Sequence, residues 1–186
     1  MAVIDTAKPR NLYLANQVDQ TSINLLTKEI IEINENDEFL KGYYKLYNLV
    51  YEPNPIKIYI DSYGGYVYQC FGLLSIMEAS KTPIHTIVTG CAMSCGFMIA
   101  ITGHRRFGHK KSTYLYHQVS GGTDGKVKDM EEELEETKRL QQEIENNTVE
   151  KTNISKKRLQ EVYLGKKDWF ITTNEALTLK IIDEVI

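Results

Sequence analysis

The chain has 186 residues, a formal net charge of −3, 25% charged and 42% hydrophobic residues, the composition of an ordinary globular protein. This length suits one domain spanning residues 1–186. The net charge gives no overall basic field that would favour nucleic-acid binding. The longest apolar runs, about five residues, fall far short of the ~20 that a membrane-spanning helix requires.

The N-terminus and the cysteines indicate a cytoplasmic protein. Residues 1–10 contain no basic segment followed by an apolar one, so no secretory signal is expected there. Cys70, Cys91 and Cys95 lie in apolar segments without a CxxC pair, which favours reduced, buried thiols. Together with His85 they match no usual zinc spacing, so neither a metal nor another cofactor is expected.

Strands and helices alternate along the first two thirds of the chain, as apolar periodicity predicts. In order, the predicted elements are a strand at 11–14, a helix at 23–33 that residues 34–50 extend or follow, a strand at 56–60, a turn at 61–65, a helix at 66–80, a strand at 84–90, a helix at 95–101, a solvated basic loop at 103–111 and a strand at 113–119. Strands separated by helices predict an α/β fold with parallel βαβ units.

Residues 126–147 predict one long, highly charged helix with a thin apolar stripe that includes Val127, Met130, Leu134 and Ile144. Two interpretations remain open. The helix is either solvated, with a narrow face on its own domain, or an arm that meets a symmetry mate in an oligomer. A helix at 155–164, a loop at 165–170, a short helix at 173–179 and a strand at 181–186 are predicted to follow.

Ser94 stands where a predicted strand gives way to a predicted helix, within the segment 90–96. A serine at such a junction lies beside unpaired backbone N–H groups and the positive end of a helix dipole. Both favour a nucleophile and the oxyanion that it creates. Taken alone, Ser94 is better explained as an N-cap residue, the commoner reason for a serine at a helix start.

A serine nucleophile needs a base, and His117 is the best placed of four histidines because it ends an apolar strand. No acidic residue lies between Ser94 and His117, and no histidine follows His117, so the α/β-hydrolase order of Ser, acid and His is excluded. The order Ser, His, acid remains. Candidate acids are Asp124, Asp129, Asp168, Asp183 and the glutamates of the charged helix.

Among these acids Asp168 is favoured, because it sits in the predicted loop 165–170 beside the only tryptophan. There it could hold the His117 imidazole in the correct tautomer, although it could equally cap the following turn. An oxyanion hole could come from the backbone N–H groups of Gly64 and Cys95. The Gly64-Gly65 pair is explained as well by a tight strand-to-helix turn.

Taken together, these residues resemble the proteolytic subunits of the Clp protease family, ClpP. The matching blocks, in family order, are 58–65, 86–96, 116–125 and 167–186. The resemblance implies the ClpP/crotonase-like fold and a serine endopeptidase acting on unfolded proteins. It also implies that Ser94 is the nucleophile, His117 the general base and Asp168 the orienting acid, with Gly64 and Cys95 as the oxyanion hole.

The same resemblance implies a substrate-binding strand and an assembly. Gly65, Gly121, Gly122 and Gly125 would contact the substrate peptide, and residues 121–125 would form the strand that aligns it. The helix at 126–147 would be the handle by which two stacked heptameric rings meet. The implied partners are further copies of this chain and an AAA+ unfoldase, with no nucleic acid and no membrane.

Several positions depart from the family pattern. Tyr63 stands where the family usually has proline, Cys95 where it has methionine, and Lys167 where it has arginine, a better bidentate partner. Residues 35–47 enlarge the region before the second strand, and the segment before the first strand is too short for the usual axial loop. Both changes concern the expected surfaces for an ATPase and for substrate entry.

Three alternatives remain beside the peptidase. A regulatory ring subunit with a vestigial triad would share the fold. A crotonase-type acyl-CoA enzyme would share the fold and the backbone oxyanion pair, but no acid stands at the positions of Ser94 and His117. Cys95 as the nucleophile is a minor variant of the peptidase.

Overall fold

The computed structural model describes residues 9–186, so the prediction about a secretory signal lies almost wholly outside the described residues. The predicted α/β class is confirmed. The strands are β1 Asn11–Leu14, β2 Ile56–Ser62, β3 Ile84–Met93, β4 Arg105–Gly108, β5 Thr113–Tyr116, β6 Trp169–Thr172 and β7 Glu184–Val185. The helices are α1 Gln20–Leu46, α2 Val67–Ala79, α3 Cys95–Thr102, α4 Val127–Lys151, α5 Lys156–Gly165 and α6 Thr173–Thr178.

The sheet divides at β3, and this division positions the candidate site. Strands β1, β2, β3, β4 and β7 run parallel in that order. The first half of β3, from His85 to Val88, pairs with β4, whereas its end, from Cys91 to Met93, pairs with β5. The carboxyl end of β3 therefore lies against β5 and not against β4.

The core contains one face of β2 and most residues of β3. Burial alternates along β2, as expected for a strand whose side chains point to opposite faces. Every residue of α3 is buried, because this apolar helix packs against β3 and is covered by α2 and α4. Within residues 9–186, no helix has the length and apolar composition needed to cross a membrane.

Two short strands were missed by the sequence analysis. The basic segment predicted as a solvated loop contains β4, and the loop predicted at 165–170 ends in β6. Strand β4 is mostly polar and lacks the apolar run that marks a strand, whereas β6 is apolar but only four residues long. In β4 the charges of Arg105 and Arg106 are satisfied by ion pairs with Glu184 and Asp183.

The loop between β5 and α4 also differs from expectation. Residues 121–125, predicted as a strand, belong to an irregular and exposed segment that runs from the end of β5 to α4. Glycines weaken a strand, and none of the described strands pairs with this segment. The strand prediction is wrong for the described state.

The interpretation of the charged helix as one with a narrow face on its own domain is confirmed for part of α4, and its role as an arm in an oligomer stays a prediction. Leu140 and Ile144 are buried, so the second half packs on its own domain. Val127, Met130 and Leu134 are exposed by 74, 43 and 53%, so the first half presents its apolar stripe to solvent. The buried residues of α4 therefore all lie in its second half, while the first half is attached to α2 by the Tyr68 hydroxyl, which donates to Glu136 at 2.7 Å.

Candidate active site

Ser94 occupies a strained turn between β3 and α3. Its backbone angles are φ 54° and ψ −120°, a conformation that a residue other than glycine rarely adopts. Within the described chain the Ser94 hydroxyl makes no capping hydrogen bond to α3, which removes the N-cap explanation. Nucleophilic serines occupy such sharp strand-to-helix turns because the turn exposes the hydroxyl.

The register of β3 and β5 brings Ser94 close to His117. Met93 is opposite Leu115, and the Ser94 N–H donates to the Leu115 carbonyl at 3.0 Å. Tyr116 is therefore beside Ser94, and His117 comes one residue later at the carboxyl end of β5. Ser94 and His117 line the same cleft, which has a volume of about 40 Å³.

The antiparallel pairing of β5 and β6 brings the residues after β5 and before β6 to the same end of this strand pair. Tyr116 and Trp169 are the last paired residues, and His117 and Asp168 are the next residue along each segment. Asp168 is exposed, lies just before β6 and does not line the cleft. Within residues 9–186, no hydrogen bond joins Ser94, His117 and Asp168 in this state.

The Gly64-Gly65 turn packs directly against the serine. A Cβ on Gly64, where φ is +95°, would lie 2.7 Å from both the Met93 carbonyl oxygen and the Ser94 Cβ. A Cβ on Gly65 would lie 2.2 Å from the Val18 carbonyl oxygen. Glycine is therefore required at both positions. The structure also satisfies the Gly64 N–H, which donates to the buried Ser62 hydroxyl at 3.2 Å.

Cys95 connects the serine turn to the glycine turn. It is 2% exposed, and its thiol donates to the Gly65 carbonyl at 3.2 Å. The Cys70 thiol donates to the Cys95 carbonyl at 3.5 Å. Hydrogen bonding from Cys70 lowers the pKa of the Cys95 thiol despite its burial. The expectation of free, buried cysteines is confirmed for all three.

Two clefts meet at the loop that follows His117. Apolar side chains from three helices, whose place in the site was not predicted from the sequence, wall the small cleft beside Ser94: Val67, Met98 and Ile144. A larger cleft of about 500 Å³ lies between this loop and α4, with Gly121 and Gly122 in its lining. Gly125 lies near the start of α4, where a Cβ would be 3.5 Å from the Asp129 carboxylate.

Comparison with known proteins identifies the family. The model of the Clp protease family matches residues 5–186, nearly the whole chain. The chain belongs to the Clp protease family. The predicted resemblance is thereby confirmed, and family membership makes this chain a serine protease of the ClpP type.

Curated relatives agree with this assignment. The chain is 25% identical over 181 residues to ATP-dependent Clp protease proteolytic subunit 2 of Synechococcus sp., covering 96% of this chain and 84% of that protein. It is 26% identical over 179 residues to the ATP-dependent Clp protease proteolytic subunit of Porphyromonas gingivalis, with 95% and 73% coverage. The subunit of the same name from Bacteroides fragilis is 26% identical over 180 residues, with 95% and 79% coverage.

Proposed function

We propose that this Clp protease family member is a serine endopeptidase with Ser94 as nucleophile, His117 as general base and Asp168 as orienting acid. The positions of these residues at three strand ends carry the proposal: Ser94 bonds across to β5, His117 directly follows β5, and Asp168 directly precedes the paired strand β6. No other described serine combines a strained junction with a histidine in the same cleft.

In the proposed reaction the Ser94 Oγ attacks the scissile carbonyl while His117 takes the hydroxyl proton. Asp168 holds the imidazole and stabilises the imidazolium that forms. His117 then protonates the leaving amine, and water attacks the acyl-enzyme with His117 again as base. Ser94 is regenerated when the acid product departs.

The oxyanion that forms on the substrate needs two N–H donors. The Cys95 N–H belongs to the first turn of α3, where helix N–H groups lack intrahelical partners. The second donor expected from the sequence is Gly64, but its N–H is engaged by Ser62. Gly65 lines the cleft with Ser94, so we propose Gly65 as the second donor.

The substrate peptide is proposed to lie along the exposed loop that contains Gly121, Gly122 and Gly125. This loop borders both clefts and its backbone is free of strand pairing among the described residues. An extended peptide could therefore add to it as a strand. We also propose self-assembly into two stacked heptameric rings, since a chamber would confine proteolysis to unfolded chains.

The names of the relatives add a partner to this proposal. Each is described as a subunit of an ATP-dependent protease. We propose that an AAA+ unfoldase delivers substrates to this chain in the cytoplasm. Such a partner would be required for folded substrates and not for short peptides.

Hydrolysis of a fluorogenic peptide tests the proposed nucleophile. Ser94→Ala is expected to lower kcat by at least about 1000-fold, because the nucleophile of a serine protease acts as a unit with its base. Ser75→Ala is the matched control, since the Ser75 hydroxyl is exposed on α2 and bonds only to its own helix. Full activity in Ser94→Ala would contradict the proposal, and an intact assembly without activity in the wild type would favour a regulatory subunit.

A further inference from the structure

The buried side chain of Gln141 bridges α4 and the loop that follows His117. Gln141 is 8% exposed. Its carbonyl oxygen accepts a hydrogen bond from the Val119 N–H at 2.8 Å. Its amide nitrogen donates to the Glu145 Oε1 at 3.0 Å and to the Tyr116 hydroxyl at 3.4 Å. Both the oxygen and the nitrogen of the Gln141 amide therefore have hydrogen-bond partners.

These partners allow only one orientation of the Gln141 amide. Exchanging its oxygen and nitrogen would set two donors together at Val119 and two acceptors together at Glu145. Glu145 lies one helical turn after Gln141 and is only 6% exposed. Its buried carboxylate therefore fixes the position of the Gln141 amide nitrogen. Burial, with the nearby Glu145 charge, raises the pKa of Tyr116, so the phenol stays neutral.

The segment from His117 to Val119 is fixed at its two ends by different elements. Tyr116 ends β5, which holds the segment through its pairing with β3 and β6. Two residues after His117 comes Val119, and its N–H is bound by Gln141. A partly buried N–H that loses its acceptor is destabilised, so the loop would move to find another one.

We propose that Gln141 is a positioning residue for the general base His117. The inference rests on the proposed function and adds a role for a residue outside the triad. Gln141 does not line the small cleft that holds Ser94 and His117, and it acts on His117 through the Val119 backbone. Because Gln141 belongs to α4, the position of this helix and the placement of the base are linked.

The rate at which a fluorophosphonate probe labels Ser94 measures how strongly His117 activates the Ser94 hydroxyl. Gln141→Leu removes the acceptor and keeps the apolar stem. This variant is expected to lower both the labelling rate and kcat by about 10-fold to 100-fold, as displaced catalytic groups do. KM for a peptide should change less than kcat, because Gln141 bonds to Val119 and not to Gly121, Gly122 or Gly125, the proposed substrate contacts. The native mass of the assembly should equal that of the wild type.

A double exchange provides the rescue. In Gln141→Glu combined with Glu145→Gln, a carboxylate oxygen at 141 accepts the Val119 N–H and the amide at 145 donates back to it. One buried charge is kept, so labelling should return to within about threefold of wild type. Gln142→Leu is the control, because Gln142 is exposed on α4 and makes the same type of bond, to Asn146 at 2.8 Å. It should stay within about twofold of wild type.

Three outcomes would overturn the inference. Wild-type labelling of Gln141→Leu would do so, as would a loss of labelling that follows a fall in native mass, which indicates a purely structural role. Failure of the double exchange to restore labelling would also contradict it. If the wild-type protein itself is not labelled at Ser94, the proposed function fails instead.

Discussion

At the scale of single residues, the close approach of Gly64 to Ser94 decides the shape of the candidate site. The two turns interlock because the Gly64 backbone occupies the space where any side chain would meet Ser94. The Val18 N–H donates to the Gly64 carbonyl and the Tyr66 N–H donates to the Val18 carbonyl, so the glycine turn is bound on its far side as well. Strain at Ser94 is therefore maintained by its surroundings.

Gly64→Ala is expected to destabilise the fold and to lower labelling of Ser94. The new Cβ would lie 2.7 Å from the Met93 carbonyl oxygen, in a backbone conformation with positive φ. A cost of about 1–3 kcal/mol in the free energy of unfolding is expected. Denaturant unfolding and the phosphonate labelling rate measure the two effects.

Gly72→Ala is the matched control. Gly72 lies within α2, and a Cβ there would meet nothing within 4 Å. Alanine replaces glycine in an open helix position with a gain of about 0.5–1 kcal/mol. Equal changes in the free energy of unfolding in Gly64→Ala and Gly72→Ala would contradict the claim that the turn at Gly64 has no space for a side chain.

At the scale of elements, a buried polar cluster attaches α1 to the rest of the domain. Asp37, the last buried residue of α1, accepts hydrogen bonds from Arg10 at 2.8 Å, Thr82 at 2.6 Å and Tyr51 at 2.7 Å. Burial disfavours the charged carboxylate, but these bonds and the Arg10 charge outweigh it and lower the pKa of Asp37. Burial and the bond to Asp37 raise the pKa of Tyr51 to about 12, so Tyr51 remains a donor.

Asp37→Asn is expected to reduce the free energy of unfolding by about 3 kcal/mol at pH 7, because Arg10 would stay buried without its counter-ion. The pKa of Asp37 is lowered in the folded state, so its contribution is complete above the ordinary value of about 4. It is lost as the pH falls through the lowered folded-state pKa. In urea unfolding from pH 7 down to pH 3, the difference in the free energy of unfolding between variant and wild type should become smaller.

Glu38→Gln gives the comparison on the same helix. Glu38 is exposed and pairs with Lys81 at 3.2 Å, so its removal should cost less than about 1 kcal/mol. If the difference in the free energy of unfolding between Asp37→Asn and wild type does not change with pH, the assigned charge state of Asp37 is contradicted.

Most elements could be predicted from the sequence because their apolar period was clear, as in β2 and α2. Strand β4 could not, because its arginines are balanced by Asp183 and Glu184, which lie about 80 residues away in sequence. Strand β6 pairs antiparallel with β5, a tertiary contact that no local pattern reveals. Asp168 was expected in a loop between two helices. It lies instead directly before strand β6.

Part of the candidate site could be predicted because the strands that lead to it have a clear apolar pattern. Ser94 and His117 each follow an apolar strand, and parallel strand ends meet at one edge of a sheet. The proposal of Gly65 instead of Gly64 as an oxyanion donor could not come from the sequence, because it depends on the bond from the Gly64 N–H to the Ser62 hydroxyl. Gln141 was equally hidden, because a glutamine in a charged helix gives no sign of burial.

At the scale of the whole molecule, the exposed half of α4 supports self-association. Val127, Met130 and Leu134 recur at three and four residues and so share one face of the helix. Leu134→Lys is expected to lower the native mass towards the 21.4 kDa of a single chain, because it places a charge in the apolar stripe. Mass measurement under native conditions reports the change.

Glu132→Lys also places a lysine on the same helix, but away from the stripe, and should leave the native mass unchanged. An unchanged mass in Leu134→Lys, or an equal fall in both variants, would contradict the role assigned to this face.

Peptide mass spectrometry of the phosphonate-labelled protein tests the central claim most directly. We expect a single adduct on Ser94, lost in both Ser94→Ala and His117→Ala. An adduct on Cys95 or on a serine elsewhere in the chain, or undiminished labelling after loss of His117, would contradict the assignment of the catalytic residues.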